Sequence, residues 1–215
     1  PSSSSRQTAQ QMRIDISALL NSASPEMVLF HLINRFGFNA DQTEQINHLL
    51  VNRSQHPDKA QGKMFVSSTH QLLIDRGALL IEPIADMPQK PMRIPETGVY
   101  LFEHHKLILK TMKQEETSIS KDKNMLYADL SKVAFPLTLR HIAQGDRFTP
   151  FGMKGSRLVS DYLTDRKINL FDKARIPVLA DAQGKIIWLV NERADNGIRI
   201  TPSTTDVLVV RCEEM

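Results

Sequence analysis

Residues 145–156 read GDRFTPFGMKGS, a stretch that holds three glycines (Gly145, Gly152, Gly155) and two cations (Arg147, Lys154). These residue types can bind phosphate: glycines let backbone N–H groups approach an anion, and cations neutralise it. The stretch fits neither G-x-x-x-x-G-K-[ST] nor G-x-G-x-x-G, which excludes the nucleotide loops those patterns mark. A helix beginning near Gly155 or Ser156 would turn its unpaired N–H groups toward a phosphate beside Lys154. Arg140, on the polar face of the preceding strand, and Arg147, in the intervening turn, would add charge without reading bases. The competing reading is that the glycines only shape a turn and the cations are solvated.

Charge distribution favours an anionic partner. From Arg140 to Arg175 there are eight cations, Arg157, Lys167 and Arg175 among them, against four anions. That local charge of +4 exceeds the +3 of the whole 215-residue chain, so the positive field is concentrated around the glycine-rich stretch. Other candidates are weaker. Glu103-His104-His105 has metal-binding residue types, but neighbours on a strand point to opposite faces, and His31, His48, His56 and His70 have no ligand spacing. No metal site is expected. Cys212, the single cysteine, excludes an internal disulfide and reads as an inert thiol; Trp188 reads as core. No nucleophile–base pair stands at a defensible spacing, so no catalytic residue is assigned.

The elements that must position these residues fall into two parts, and the predicted class is α+β. Residues 1–12 read as a disordered tail. In residues 13–82, Ser24 and Pro25 open a helix with a stripe at Leu29, Leu32, Ile33 and Phe36 that stops at Gly37. Asn39 and Gln42 form a capping box for a second helix carrying Ile46, Leu49 and Leu50. Short strands follow, with Gly77 in a hairpin. Four prolines in residues 83–97 mark a linker. Residues 98–215 alternate strands with one helix, and in FPLTLRHI, Leu137, Leu139 and His141 share one face. The composition, 41% hydrophobic and 24% charged, is that of an ordinary globular protein, with no apolar run near the ~18 residues of a membrane span. The start, PSSSS, lacks a signal-peptide pattern and reads as the edge of a piece of a longer chain; a cytoplasmic protein without membrane partners is expected.

The order Arg140, Gly145-Asp146-Arg147-Phe148, Pro150, Gly152, Lys154-Gly155, Lys167, Arg175-Ile176-Pro177, then Gly184, Ile186 and Trp188, resembles the C-terminal domain of bacterial tRNA(Ile)-lysidine synthetases. The segment ISALLNSASPEMVLFHLINRFGFNADQTEQINHLL resembles their helical middle, substrate-binding domain. The chain departs from the family at Lys167-Ile168-Asn169, where K-V-P is usual, and at Val190-Asn191, where a glycine is common. The resemblance implies a sheet sandwich shared with the phenylalanyl-tRNA synthetase β subunit. It also implies that the full-length enzyme uses ATP, magnesium and L-lysine to join lysine to the wobble cytidine of the isoleucine tRNA with a CAU anticodon. The S-G-G-x-D-S loop of the family's N-terminal ATP-pyrophosphatase domain does not occur here. This chain is therefore expected to hold tRNA through Arg140, Arg147, Lys154, Arg157, Lys167 and Arg175, to need no cofactor itself, and to lack activity without the missing catalytic domain. A homodimer is compatible with that reading. The rivals are a structural or dimerisation module with an incidental basic loop, and an independent small-molecule enzyme using Glu103, His104 and His105.

Overall fold

The computed structural model describes residues 11–52, 60–84 and 90–215. The chain forms two units, Pro1–Asp86 and Met87–Met215. The serine-rich start, His56 and Pro88 lie outside the described residues.

In the first unit, β1 (Met12–Asp15), α1 (Ile16–Leu20), α2 (Pro25–Asn34) and α3 (Ala40–Asn52) precede β2 (Met64–Val66), β3 (His70–Asp75) and β4 (Ala78–Pro83). The strands form an antiparallel sheet in the order β1-β4-β3-β2. Pro25 opens α2, where a missing N–H costs nothing, although the Ser24 side chain makes no capping bond. The capping box of α3 is reciprocal: Asn39 Oδ1 accepts from the Gln42 amide at 2.9 Å, and Gln42 Oε1 accepts from the Asn39 amide at 3.2 Å. Arg76 and Gly77 join β3 to β4 with positive φ at both positions, 37° and 86°, the twist a two-residue hairpin needs. Leu29, Ile33, Ile46 and Leu50 from the helices bury against Leu72, Ile74, Leu79 and Ile81 from the sheet. Burying each such side chain contributes ~1.5–3 kcal/mol.

The second unit begins with β5 (Met92–Ile94), β6 (Gly98–Phe102), β7 (His105–Lys113), β8 (Met125–Asp129) and β9 (Leu137–His141). Two short strands follow, β10 (Arg147–Phe148) and β11 (Arg157–Leu158), then helices α4 (Val159–Asp165) and α5 (Leu170–Arg175). β12 (Pro177–Ala180), β13 (Ile186–Leu189), β14 (Arg193–Ala194) and β15 (Asp206–Glu214) complete it. One sheet has the order β14-β13-β12-β9-β5 and a second β6-β7-β15-β8. A single apolar cluster joins them: Leu107, Leu126, Leu208 and Val210 from one sheet meet Leu137, Leu139, Leu179 and Trp188 from the other. This is the expected α+β sandwich. Trp188 is 1% exposed, as a core tryptophan should be. Cys212 lies in the same core, where burial pushes its thiol up to about 12. A thiol held protonated this firmly is a poor nucleophile.

Four details differ from the sequence reading. Residues 92–94 of the proline-rich segment pair with β9 as an edge strand, the one sheet position that flanking prolines such as Pro91 and Pro95 tolerate. The tail reading of residues 1–12 overlaps β1, which already includes Met12. The helix placed at Gly155 or Ser156 begins at Val159, because Arg157 and Leu158 pair with Phe148 and Arg147 as a strand. α5, capped by Asn169 Oδ1 on the Asp172 amide at 2.9 Å, was not foreseen.

At the end of β8, Asp129 is buried and accepts from Ser131 Oγ at 2.7 Å and Thr204 Oγ1 at 2.8 Å, with Lys132 Nζ 3.0 Å away. The Ser131 hydroxyl first, then the Thr204 hydroxyl and Lys132, hold its carboxyl well below the usual range. A depressed folded-state value means the stabilisation is complete above the ordinary carboxylate value and drains away as pH falls. We expect Asp129→Asn to cost ~1–3 kcal/mol at pH 7 and to flatten the acid limb of stability below about pH 4, read from denaturant midpoints across pH. An unchanged acid limb would remove Asp129 as its cause.

Candidate nucleic-acid interface

The glycine-rich stretch is a long β10–β11 connection tied to the chain around β14. Its backbone is held at several points. Thr149 N–H donates to Asp195 Oδ2 at 2.8 Å, Asn196 N–H donates to the Thr149 carbonyl at 2.6 Å, and Phe151 N–H donates to the Ala194 carbonyl at 2.9 Å. Gly152 N–H donates to Asn196 Oδ1 at 3.1 Å, and Arg193 Nη2 to the Phe151 carbonyl at 2.7 Å. Gly152 and Gly155 have φ of 82° and 86°, the left-handed region that side chains disfavour, and an added Cβ at Gly155 would meet nothing within 4 Å. Glycine is needed there for backbone angle, not for space.

Asp195 anchors this arrangement. It is 3% exposed, and besides the Thr149 amide it accepts from the Gly197 amide at 2.7 Å and lies 3.4 Å from Lys185 Nζ. Neither Asp195 nor Lys185, Arg193 and Asn196 figured in the sequence reading. The local signal was Asp195-Asn196-Gly197, an Asx-turn sequence, but its partners lie about 45 positions earlier in the chain.

The six predicted contacts divide into two groups. Arg140 gives both guanidinium nitrogens to Asp146, at 2.7 and 2.9 Å, and a further bond to the His141 carbonyl. It clamps the turn before β10 and is largely spent on that task. Arg157 pairs with Asp165, and Arg175 lies 3.6 Å from Asp172. Arg147, Lys154 and Lys167 have no ion-pair partner among the described residues, and all three are exposed. Arg147 is aimed by bonds to Ser156, with Nη2 3.0 Å from the carbonyl. Lys167 follows α4 at φ 60°. The anions of this region thus neutralise Arg140, Arg157 and Arg175, Glu192 takes Arg166, and Lys173 donates to the Ser160 carbonyl and Thr164 Oγ1. The exposed cations without an ion pair among the described residues are Arg147, Lys154 and Lys167.

The helix-end argument for phosphate binding is corrected here. Lys154, Gly155 and Ser156 precede a strand, and the first amide of α4, Val159 N–H, is taken by the Asp146 carbonyl at 2.8 Å. What the loop offers instead is a groove of about 380 Å³ lined by Arg147, Ser156, Lys185, Asn196, Gly197 and the Asp195 carboxylate, which is engaged by amides and Lys185. A larger groove of about 890 Å³ in the first unit is lined by Glu26, Asp41 and Glu44, a charge that repels phosphate. The Glu103-His104-His105 run does not converge: Glu103 Oε1 meets His141 Nε2 at 2.7 Å, and burial lowers His105.

If Asp195 holds the loop, removing its carboxylate strands two amides. Asp195→Ala should cost ~2–4 kcal/mol and speed hydrogen exchange at Thr149 and Gly197 while leaving the sandwich amides of β15 protected. Exchange at Thr149 and Gly197 as slow as in the wild type would show that other bonds suffice.

Comparison with known proteins identifies the family. A family description, TilS substrate binding domain, matches residues 7–84, and a second, TilS substrate C-terminal domain, matches residues 137–210. The tRNA(Ile)-lysidine synthase of Parabacteroides distasonis is 38% identical over 202 residues, which cover 92% of this chain and 44% of that protein. That of Bacteroides thetaiotaomicron is 33% identical over 205 residues, covering 95% and 43%. The chain therefore spans less than half the length of these curated relatives. A crystal structure of the TILS C-terminal domain aligns with a TM-score of 0.51 at 18% identity, over 59% of this chain and 98% of that one, which shows a common fold. With one unit matching the first domain and the other matching the second, in chain order, the chain belongs to the tRNA(Ile)-lysidine synthase family and carries its substrate-binding and C-terminal domains.

Proposed function

We propose that this chain is the tRNA-docking part of a cytoplasmic ATP-dependent ligase that joins lysine to the wobble cytidine of the isoleucine tRNA with a CAU anticodon. The observation that carries it is the set of unneutralised cations, Arg147, Lys154 and Lys167, on the domain that defines the family's C-terminal part. A stem of A-form RNA presents phosphates and 2′-hydroxyls, not readable base edges, so cations dispersed over a domain face suit it. Arg147 beside its groove and Lys154 at the loop tip make the primary phosphate contacts in this reading. Lys167 adds to them, and Arg157 and Arg175 act as partly screened support. Arg140 serves by holding the Asp146 turn.

ATP, magnesium and lysine fall outside the task of these residues. The chain carries no S-G-G-x-D-S loop, so no step of the ligation is assigned to it. No helix of the described residues is long and apolar enough to cross a membrane.

Equilibrium binding of the 215-residue chain to the isoleucine tRNA and to initiator methionine tRNA, repeated across salt, tests the reading. We expect log affinity to fall linearly with log salt, with a slope of about −0.9 per phosphate neutralised. Arg147→Glu combined with Lys154→Glu should weaken binding by about tenfold or more near 0.1 M salt and reduce the slope by about two. Wild-type affinity in the double variant would overturn the contact assignment, and a change in oligomeric state instead would favour the dimerisation module.

A further inference from the structure

Phe151 and Met153 stand out at the tip of the β10–β11 loop. They are 47% and 41% exposed, and Phe151 is the one large aromatic so exposed among the described residues. Phe102, Phe148, Tyr162, Phe171 and Trp188 of this unit are at most 6% exposed, and Tyr100, Tyr127 and Phe135 are half-buried. A single exposed apolar side chain is ordinary, but this one is held rigidly. The backbone of residues 149–153 is tied by the bonds to Ala194, Asp195, Asn196 and Arg193, and Met153 N–H closes a turn on the Pro150 carbonyl at 2.9 Å. The ordering of this tip therefore precedes any binding event.

The surroundings of the tip select the partner. The Arg193 guanidinium lies 6.0 Å from the Phe151 ring centroid, Lys154 follows Met153 directly, and Arg147 sits at the base of the loop. Glycines at 152 and 155 keep the approach open, since an added Cβ at Gly155 meets nothing and one at Gly152 meets only Arg193 Nη2 at 3.9 Å. An apolar protein surface would have to desolvate those cations without compensation. RNA brings both complements at once, phosphates for the cations and flat aromatic faces for the ring.

We infer that the Phe151–Met153 tip is a stacking surface for an exposed nucleobase of the bound RNA, flanked by cations that hold the adjoining phosphates. This inference rests on the RNA-docking reading above. The base comes either from an unpaired nucleotide beside a stem or from the terminal base pair of the stem, and both present the same π-face.

Binding of the 215-residue chain to a stem with an unpaired 3′ tail, to the same stem with blunt ends, and to a long RNA duplex separates these cases. Phe151→Ala should lose about tenfold in affinity for the tailed stem with an unchanged salt slope, and Phe151→Trp should retain it. Loss confined to the tailed stem assigns the unpaired nucleotide; equal loss on the blunt stem assigns the terminal pair. If the tail supplies the base, a 2-aminopurine placed there should be quenched by the wild type and not by Phe151→Ala; if the terminal pair does, the same holds for a 2-aminopurine in that pair. Wild-type binding of all three RNAs by Phe151→Ala and by Met153→Ala, while Arg147→Glu weakens them, would overturn the inference and leave the phosphate contacts standing. If Arg147→Glu is also without effect, the docking reading falls and the inference with it. A wild-type dimer that Phe151→Ala converts to monomer would assign the tip to a second copy and overturn the inference.

Discussion

The buried carboxylate of Asp195 is the interaction on which the glycine-rich loop depends. The loop between β10 and β11 turns Phe151 and Met153 outward and has almost no core of its own, and Phe148 before it is its principal buried anchor. Hydrogen bonds to a rigid neighbour must supply the order that packing cannot. Asp195 does this from the edge of the larger sheet, accepting from amides on both sides, Thr149 and Gly197, at 2.8 and 2.7 Å. A carboxylate that accepts several N–H bonds is stable when buried, and Lys185 at 3.4 Å balances its charge. The same buried anion offsets the repulsion among cations gathered around it.

The sandwich makes that anchoring possible. β13 is bound on one side by β12 and on the other by β14, and a bulge opposite Leu179 lets consecutive Ile187 and Trp188 enter the same core. The opposite face of this sheet, through Val178, Ile186 and Leu189, receives Val159, Tyr162 and Leu163 of α4. Phe148 meets Tyr162 edge to face, with ring centroids 5.1 Å apart. The short strand that begins the glycine-rich loop is thus fastened to the helix that follows the loop, and both rest on the sheet.

Electrostatics then divides seven of the eight cations, similar in sequence appearance, into two kinds; the eighth, Lys173, donates to the Ser160 carbonyl and Thr164 Oγ1. Arg140 is half-buried and bidentate, a geometry in which the charge–charge bond is strong and the side chain is committed to structure. Arg157 and Arg175 sit in more exposed pairs, which contribute little to stability but lower the local potential. Arg166 is spent on Glu192 at 3.3 Å and lies over the Tyr162 ring. The remaining charge is carried mainly by Arg147, Lys154 and Lys167. The protein keeps cations at the loop and at the end of α4, and neutralises those that brace the turns between.

Periodicity and turn chemistry made much of the architecture legible in the sequence. The α2–α3 pair, the Asn39–Gln42 capping box, the Gly77 hairpin, the β9 alternation and the burial of Trp188 follow from interactions within a few residues or from one face being apolar. The ordered motif from Arg140 to Trp188 carried the family. The start of α4 was misplaced because Arg157 and Leu158 carry no local preference strong enough to announce a strand; pairing with Arg147 and Phe148 decides it. The proline-rich segment likewise conceals β5, whose pairing partner lies more than 40 residues onward. Which cations are free could not be read from the chain either, because an arginine's state depends on whether a carboxylate stands opposite it in space. Sequence alone determined the α2–α3 pair, the strands with one clear apolar face and the region of positive charge, since those rest on local propensity and composition. Tertiary structure decided the use of each charge and the rigidity of the loop, because both depend on Asp146 and Asp195 meeting groups that only the folded sheets bring within 3 Å.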